Sequence, residues 1–195
     1  PQGVKCIFCR KEVNGFNIHP GSAKDKMINA SLVAMEINSL LPADEIPSKT
    51  EGYEGFFHLT SMEGCVEHAT IKYIIRDHSA QSFAKRCETI RQIEKKMNEA
   101  YGEGTVALTL TEQYRNMEEK IRPCFHIVET AKQATLEAGL KPIIKPIRGG
   151  TDGARLSFEG LPCPNLGTGG YAFHGPYEHI TVEGMDKAVE IMLGI

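Results

Sequence analysis

Between Cys65 and Arg76 the apolar residues Ala69, Ile71, Tyr73 and Ile75 occupy every second position, whereas Phe83, Cys87, Ile90, Met97 and Tyr101 recur at intervals of three, four and seven. The first spacing is a strand with one buried face, and the second is one face of a helix. The same two periods place the neighbouring elements. Residues 4–18 alternate around Asn14-Gly15 and read as one bent strand or a short hairpin. From Asp25 to Leu41 the residues Ile28, Leu32, Met35 and Leu40 predict a helix that Pro42 ends. Phe56–Met62 pairs with the 65–76 segment across a Glu63-Gly64 turn, and Val106, Leu108 and Leu110 alternate in a last strand. The order is β-α-β-β-α-β, the ferredoxin-like plan in which two helices cover one face of a four-stranded antiparallel sheet. We therefore expect an α/β chain whose first domain, residues 1–113, has this α+β form.

Residues 114–195 read differently. A helix near 124–138, a short strand at 142–147, a glycine-rich loop with a short helix, a strand near 163–167 and a helix from 181 make a poor core for fewer than about 80 residues. They look like the closing part of an α/β layer whose other strands lie elsewhere. The start at Pro1 and the end at Ile195, inside an apolar helical pattern, fit a piece of something longer.

Composition removes several function classes. A chain of 195 residues, 41% hydrophobic and 24% charged, is globular rather than disordered. A net charge of -3 gives no electrostatic reason to expect nucleic acid or an anionic membrane surface. No apolar run approaches the roughly 20 residues of a membrane span, and the N-terminus lacks a signal-peptide core. The six cysteines are scattered through apolar patterns, which suits reduced thiols and a cytoplasmic location.

Chemistry-bearing residues concentrate in "RGGTDGARLSFEGLPCPNLGTGGYAFHG", residues 148–175, where eight glycines surround Arg148, Asp152 and His174. So much backbone freedom suggests loops that hold a ligand. Arg148 before Gly149-Gly150 offers a guanidinium fork and free N–H groups for a carboxylate or phosphate; pairing with Asp152 to hold the turn is the equal alternative. His174 approaches the last helix, where ligand groups gather in α/β proteins. His19, before Pro20-Gly21, has two readings, a loop cap and a functional side chain. Cys6 and Cys9 are three apart in a strand and point to opposite faces, so they do not converge on one ion. The histidines at 58, 68, 78, 126 and 179 have no partner at metal-ligand spacing.

The long motifs together carry a resemblance. "KPIRGGTDGARLSFEGLPCPNLGTGGYAFHG" and "HITVEGMDKAVEIM", with "NIHPGSAKDKMINA" and "EGYEGFFHLTSMEG" before them, resemble the C-terminal half of peptidase T, the cytosolic zinc-dependent tripeptide aminopeptidases. The resemblance implies a catalytic α/β domain interrupted by a lid or dimerisation domain, here about residues 5–113, with 114–195 returning to the catalytic domain. It implies that His174 ligates one of two zinc ions and that His19 reaches from the lid to stabilise the oxyanion. Arg148 would bind the peptide carboxylate, and Asn116 in "YRNMEEK" would contact substrate. The implied reaction is release of the N-terminal residue from tripeptides by metal-activated water. The implied partners are a tripeptide, the N-terminal catalytic portion and a second copy through the lid, with no nucleic acid or membrane. The other zinc ligands and the catalytic Glu would precede Pro1, so the chain alone is expected to be inactive. Two other readings remain: a non-catalytic dimerisation or peptide-binding module, and an anion-binding protein using Arg148.

Overall fold

The computed structural model describes residues 5–145 and 147–195. They form two compact units, one of Gln2–Asn116 with Pro146–Gly150, the other of Met117–Lys145 with Thr151–Ile195.

In the first unit, β1 (Lys5–Asn14), α1 (Ala30–Ser39), β2 (Phe56–Gly64), β3 (His68–Asp77), α2 (Ala80–Tyr101) and β4 (Val106–Tyr114) follow in the predicted order. The sheet order is β2-β3-β1-β4 and every pairing is antiparallel, which is the ferredoxin-like arrangement. One face carries the core. Cys9 and Val13 of β1, Ala69, Ile71, Tyr73 and Ile75 of β3, and Val106 of β4 pack with Ile90, Ile93 and Met97 of α2 and with Val33, Ala34 and Ile37 of α1. Polar ties fasten the helices to this layer: Tyr73 Oη donates to Asn38 Oδ1 at 3.1 Å, and Tyr101 Oη donates to Glu36 Oε2 at 2.6 Å.

The structure corrects several details. The first helix starts at Ala30, where the Asn29 side chain accepts from the N–H groups of Ser31 and Leu32, a good cap for otherwise orphaned donors. Its buried face is Ala30, Val33, Ala34 and Ile37, whereas Leu32 and Met35 are 61% and 60% exposed. Both stripes have helical spacing, and the smaller residues are the ones that let the helix approach the sheet. β1 ends at Asn14 with no hairpin; Phe16 instead bridges Ile28. The β2–β3 turn lies at 65–67, closed by the Cys65 N–H donating to the His68 carbonyl at 2.8 Å, so Glu63 and Gly64 still pair with Thr70 and Ala69. Residues 142–145 and 147 form no strand, and neither do 163–167. Val4 and Pro146, at the margins of two predicted strands, lie outside the described residues.

The two sheet edges differ. At β4 the Asn98 side chain accepts from the Val106 N–H at 2.8 Å and donates to its carbonyl at 2.9 Å, and Glu94 Oε1 accepts from the Leu108 N–H at 2.7 Å. Side chains of α2 thus occupy backbone groups of Val106 and Leu108, at the start of that edge. At β2 the Phe57 N–H donates to the Glu45 carbonyl. Beyond it, among the described residues, no side chain seals the outer edge.

The second unit holds α3 (Glu118–Ile121), α4 (His126–Glu137), α5 (Asp152–Phe158), the two-residue pair β5 (Gly170–Tyr171) and β6 (His179–Ile180), and α6 (Val182–Leu193). Lys187 Nζ ties α6 to α4 through the Ala138 carbonyl at 2.8 Å. Val182, Met185, Val189 and Met192, a single stripe of α6, all remain exposed. This is the poorly filled core expected from so few strands. Within the glycine-rich stretch, Gly153 has a direct packing reason: a Cβ there would come 2.4 Å from the Cys163 carbonyl oxygen, where the following loop crosses α5. No helix is long and apolar enough to cross a membrane.

Candidate functional site

His19 opens a short 3-10 turn, Pro20–Ser22. Proline presets the backbone at the second position of such a turn, and the Ser22 N–H closes it on the His19 carbonyl at 2.9 Å. The imidazole is exposed, and its Nδ1 accepts from the Gly21 N–H at 3.1 Å. The capping role anticipated from the sequence is therefore present, and it uses one ring nitrogen only.

Arg148 belongs to the same unit, in the short segment that returns to it. Its Nη1 donates to the Thr50 carbonyl at 2.7 Å, and its Nη2 donates to Thr50 Oγ1 at 3.1 Å and the Glu54 carbonyl at 2.9 Å. The guanidinium also lies 5.3 Å from the Phe56 ring centroid, within cation–π range. Arg76 Nη1 holds the Arg148 carbonyl at 3.1 Å. Three of the five guanidinium N–H groups are thus engaged by the loop between α1 and β2. These partners were not foreseen: they are mainly carbonyls of an aperiodic segment, and carbonyls leave no mark on residue type. The same loop is gripped by Arg86, which pairs with the buried Asp77, donates to the Gly55 carbonyl, and meets Glu45 at 3.0 Å as an ion pair rather than an aligned hydrogen bond.

Asn116 lies half-buried between β4 and α3, at the end of the first unit's main segment. His174 belongs to the second unit. It sits in a tight turn at φ +63°, two residues after Ala172 at φ +54°. Left-handed backbone at two non-glycine residues is a local strain that the surroundings must hold. Here the Glu178 carboxylate accepts the His174 N–H at 3.0 Å, and the Gly175 N–H donates to the Ala172 carbonyl at 3.0 Å. Next to this turn His179 stacks on Tyr171 at 5.3 Å, and its Nδ1 donates to the Tyr177 carbonyl at 2.8 Å.

His19, Arg148 and Asn116 share one unit, and His174 is in the other. Among the described residues no three His, Cys, Asp or Glu side chains are grouped to hold a metal ion. Cys6 and Cys9 do diverge: Cys6 Sγ meets Arg76 and Gln113, while Cys9 lies in the core, where burial pushes its thiol up to about 12. The six cysteines are free thiols.

The sequence profile of the peptidase dimerisation domain matches residues 6–105, about half of the chain. The chain belongs to that family. The match begins in β1 and ends just before β4, so this peptidase dimerisation domain takes in both helices of the first unit and three of its four strands. Similarity to complete proteins extends further. The chain is 57% identical over 194 residues to Peptidase T of Clostridium perfringens strain ATCC 13124, covering 100% of this chain and 48% of that protein. It is 56% identical over 193 residues to Peptidase T of Alkaliphilus oremlandii strain OhILAs, covering 99% of this chain and 46% of that protein. In fold it is similar to the crystal structure of aminopeptidase PepT from Bacillus cereus ATCC 10987, with a TM-score of 0.74 at 20% identity over 98% of this chain and 51% of that one. The chain spans about half the length of the curated relatives it matches.

Proposed function

We propose that this chain is the lid and C-terminal portion of a cytoplasmic, zinc-dependent tripeptide aminopeptidase. The observation that carries the reading is the 57% identity to a Peptidase T along the whole chain, at 48% of that protein's length. In this reading His19 donates to the oxyanion that forms as the peptide bond is attacked. A hydrogen-bond donor aimed at developing charge is among the larger single contributions to catalysis. Arg148 meets the C-terminal carboxylate of the tripeptide with a guanidinium already fixed by Thr50, Glu54 and Phe56. Recognition of that carboxylate at one end, and of the free amine at the other, limits substrate length. Asn116 adds a polar substrate contact.

His174 contributes one metal-ligating imidazole. A catalytic zinc takes about three protein ligands, so one histidine does not make the site, and the remaining ligands belong to the half that this chain does not span. The test is tripeptide hydrolysis with and without a chelator, by the 195-residue chain and by the same chain joined to the preceding half present in its relatives. The chain alone should be inactive and the joined protein active and chelator-sensitive. A folded joined protein that cleaves no tripeptide would overturn the reading.

The same reading assigns the first unit a second copy of itself as partner. The exposed Leu32 and Met35 of α1 and the unsealed outer edge of β2 are its means of pairing, since the start of β4 is already engaged by Asn98 and Glu94.

A further inference from the structure

The Gly21 N–H bonds to His19 Nδ1 at 3.1 Å. A backbone N–H can only donate, so Nδ1 must present its lone pair, and the neutral ring then carries its single proton on Nε2. The contact also fixes where the ring lies. An ideal Cβ at residue 21 would come 3.2 Å from both His19 Cε1 and Nδ1, so any side chain there would push the imidazole back by a few tenths of an ångström and loosen the Gly21 N–H to Nδ1 contact. The backbone of Gly21 lies outside the left-handed region, so the crowding that a side chain would meet here comes from the ring alone.

We propose that Gly21 is a positioning residue for His19: its N–H selects the Nε2–H tautomer, and its missing side chain makes room for the ring that offers this proton as a donor. The proposal rests on the reading of His19 as the oxyanion donor and adds the part that orients it. The capping contact and the catalytic role are then one arrangement, because the cap consumes the ring nitrogen that must not carry the proton.

Gly21→Ala is a clean probe. The backbone tolerates alanine, and the crowded neighbour is an exposed ring that can shift by a few tenths of an ångström without unfolding the domain. Nitrogen-15 NMR of the 195-residue chain, at a pH where His19 is neutral, should show Nδ1 bare and Nε2 protonated as one tautomer. Gly21→Ala should give a tautomer mixture. A proton resident on Nδ1 in the unsubstituted chain, or a spectrum that Gly21→Ala leaves unchanged, would overturn the proposal whatever the activity.

In the joined enzyme, Gly21→Ala should lower kcat by about 10–100-fold with KM within about twofold, as expected when a catalytic donor is misplaced. In a His19→Ala background the same substitution should change kcat by less than about twofold, because residues acting through one another are not additive. Full additivity would refute the positioning role while leaving His19 as donor. An undiminished kcat in His19→Ala would instead refute the donor reading itself.

Discussion

Arg86 and Arg148, far apart in sequence, both hold the loop between α1 and β2, and they differ in what surrounds them. Arg86 is the counter-ion of Asp77, which is 3% exposed and also accepts at 2.8 Å the N–H of Ser79, the residue whose side chain caps α2. Removing one partner of a buried pair strands the other charge, which costs roughly 3–5 kcal/mol. Arg86→Ala should therefore lower unfolding stability by about that amount in denaturant titrations, and a loss below about 1 kcal/mol would show that the pair contributes little. Arg148 was visible in the sequence as a fork before two glycines, and its acceptors were not, because they are the Thr50 and Glu54 carbonyls and the Thr50 hydroxyl rather than Asp152 or any charged side chain. Of the two readings of His19, the loop cap is the one the structure describes, and that cap uses Nδ1 and not Nε2.

At the level of elements, period and order were enough to recover the β-α-β-β-α-β plan, since alternation in β3 and the long stripe of α2 each admit one face. They were not enough for α1, whose apolar positions form two helical stripes, and period alone cannot say which one meets the sheet. Nor could they mark 163–167, where Pro162 and Pro164 accompany a run without regular secondary structure. β1 hides a further departure. Lys11 points into the core at 0% exposure, donating to the Ile90 carbonyl at 3.2 Å. Burial lowers its pKa from 10.5 to about 8, opposed by the Cys9 thiol and the Glu94 carboxylate. Between these values the folded chain binds fewer protons than the unfolded one at Lys11, so this residue makes stability rise with pH from about 8. Cys9, shifted from 9.0 to about 12 mainly by burial, acts oppositely above 9, where the unfolded thiol ionises and the folded one does not. Stability should therefore climb between pH 8 and 9 and flatten beyond. Lys11→Met should abolish the climb and stabilise the chain at pH 7, by on the order of 3 kcal/mol. A pH profile that Lys11→Met leaves unchanged would show that the shift is not expressed.

On the scale of the whole molecule, the chain divides into one unit with a complete core and one whose helices expose apolar stripes, as expected for a sequence spanning about half of its relatives. If the first unit pairs through β2 and α1, Leu32→Glu with Met35→Glu should turn a dimer into a monomer in sedimentation equilibrium, weakening association by roughly 2 kcal/mol or about 30-fold. A double variant that sediments like the parent would place the contact elsewhere. The contrast between the two borders of the sheet sets a limit on growth as well. A sheet available on both sides can add copies without end, and fibres grow that way. With Asn98 and Glu94 holding backbone groups of Val106 and Leu108 on one border, a further copy finds the β2 border freer, so this route favours pairs over longer assemblies.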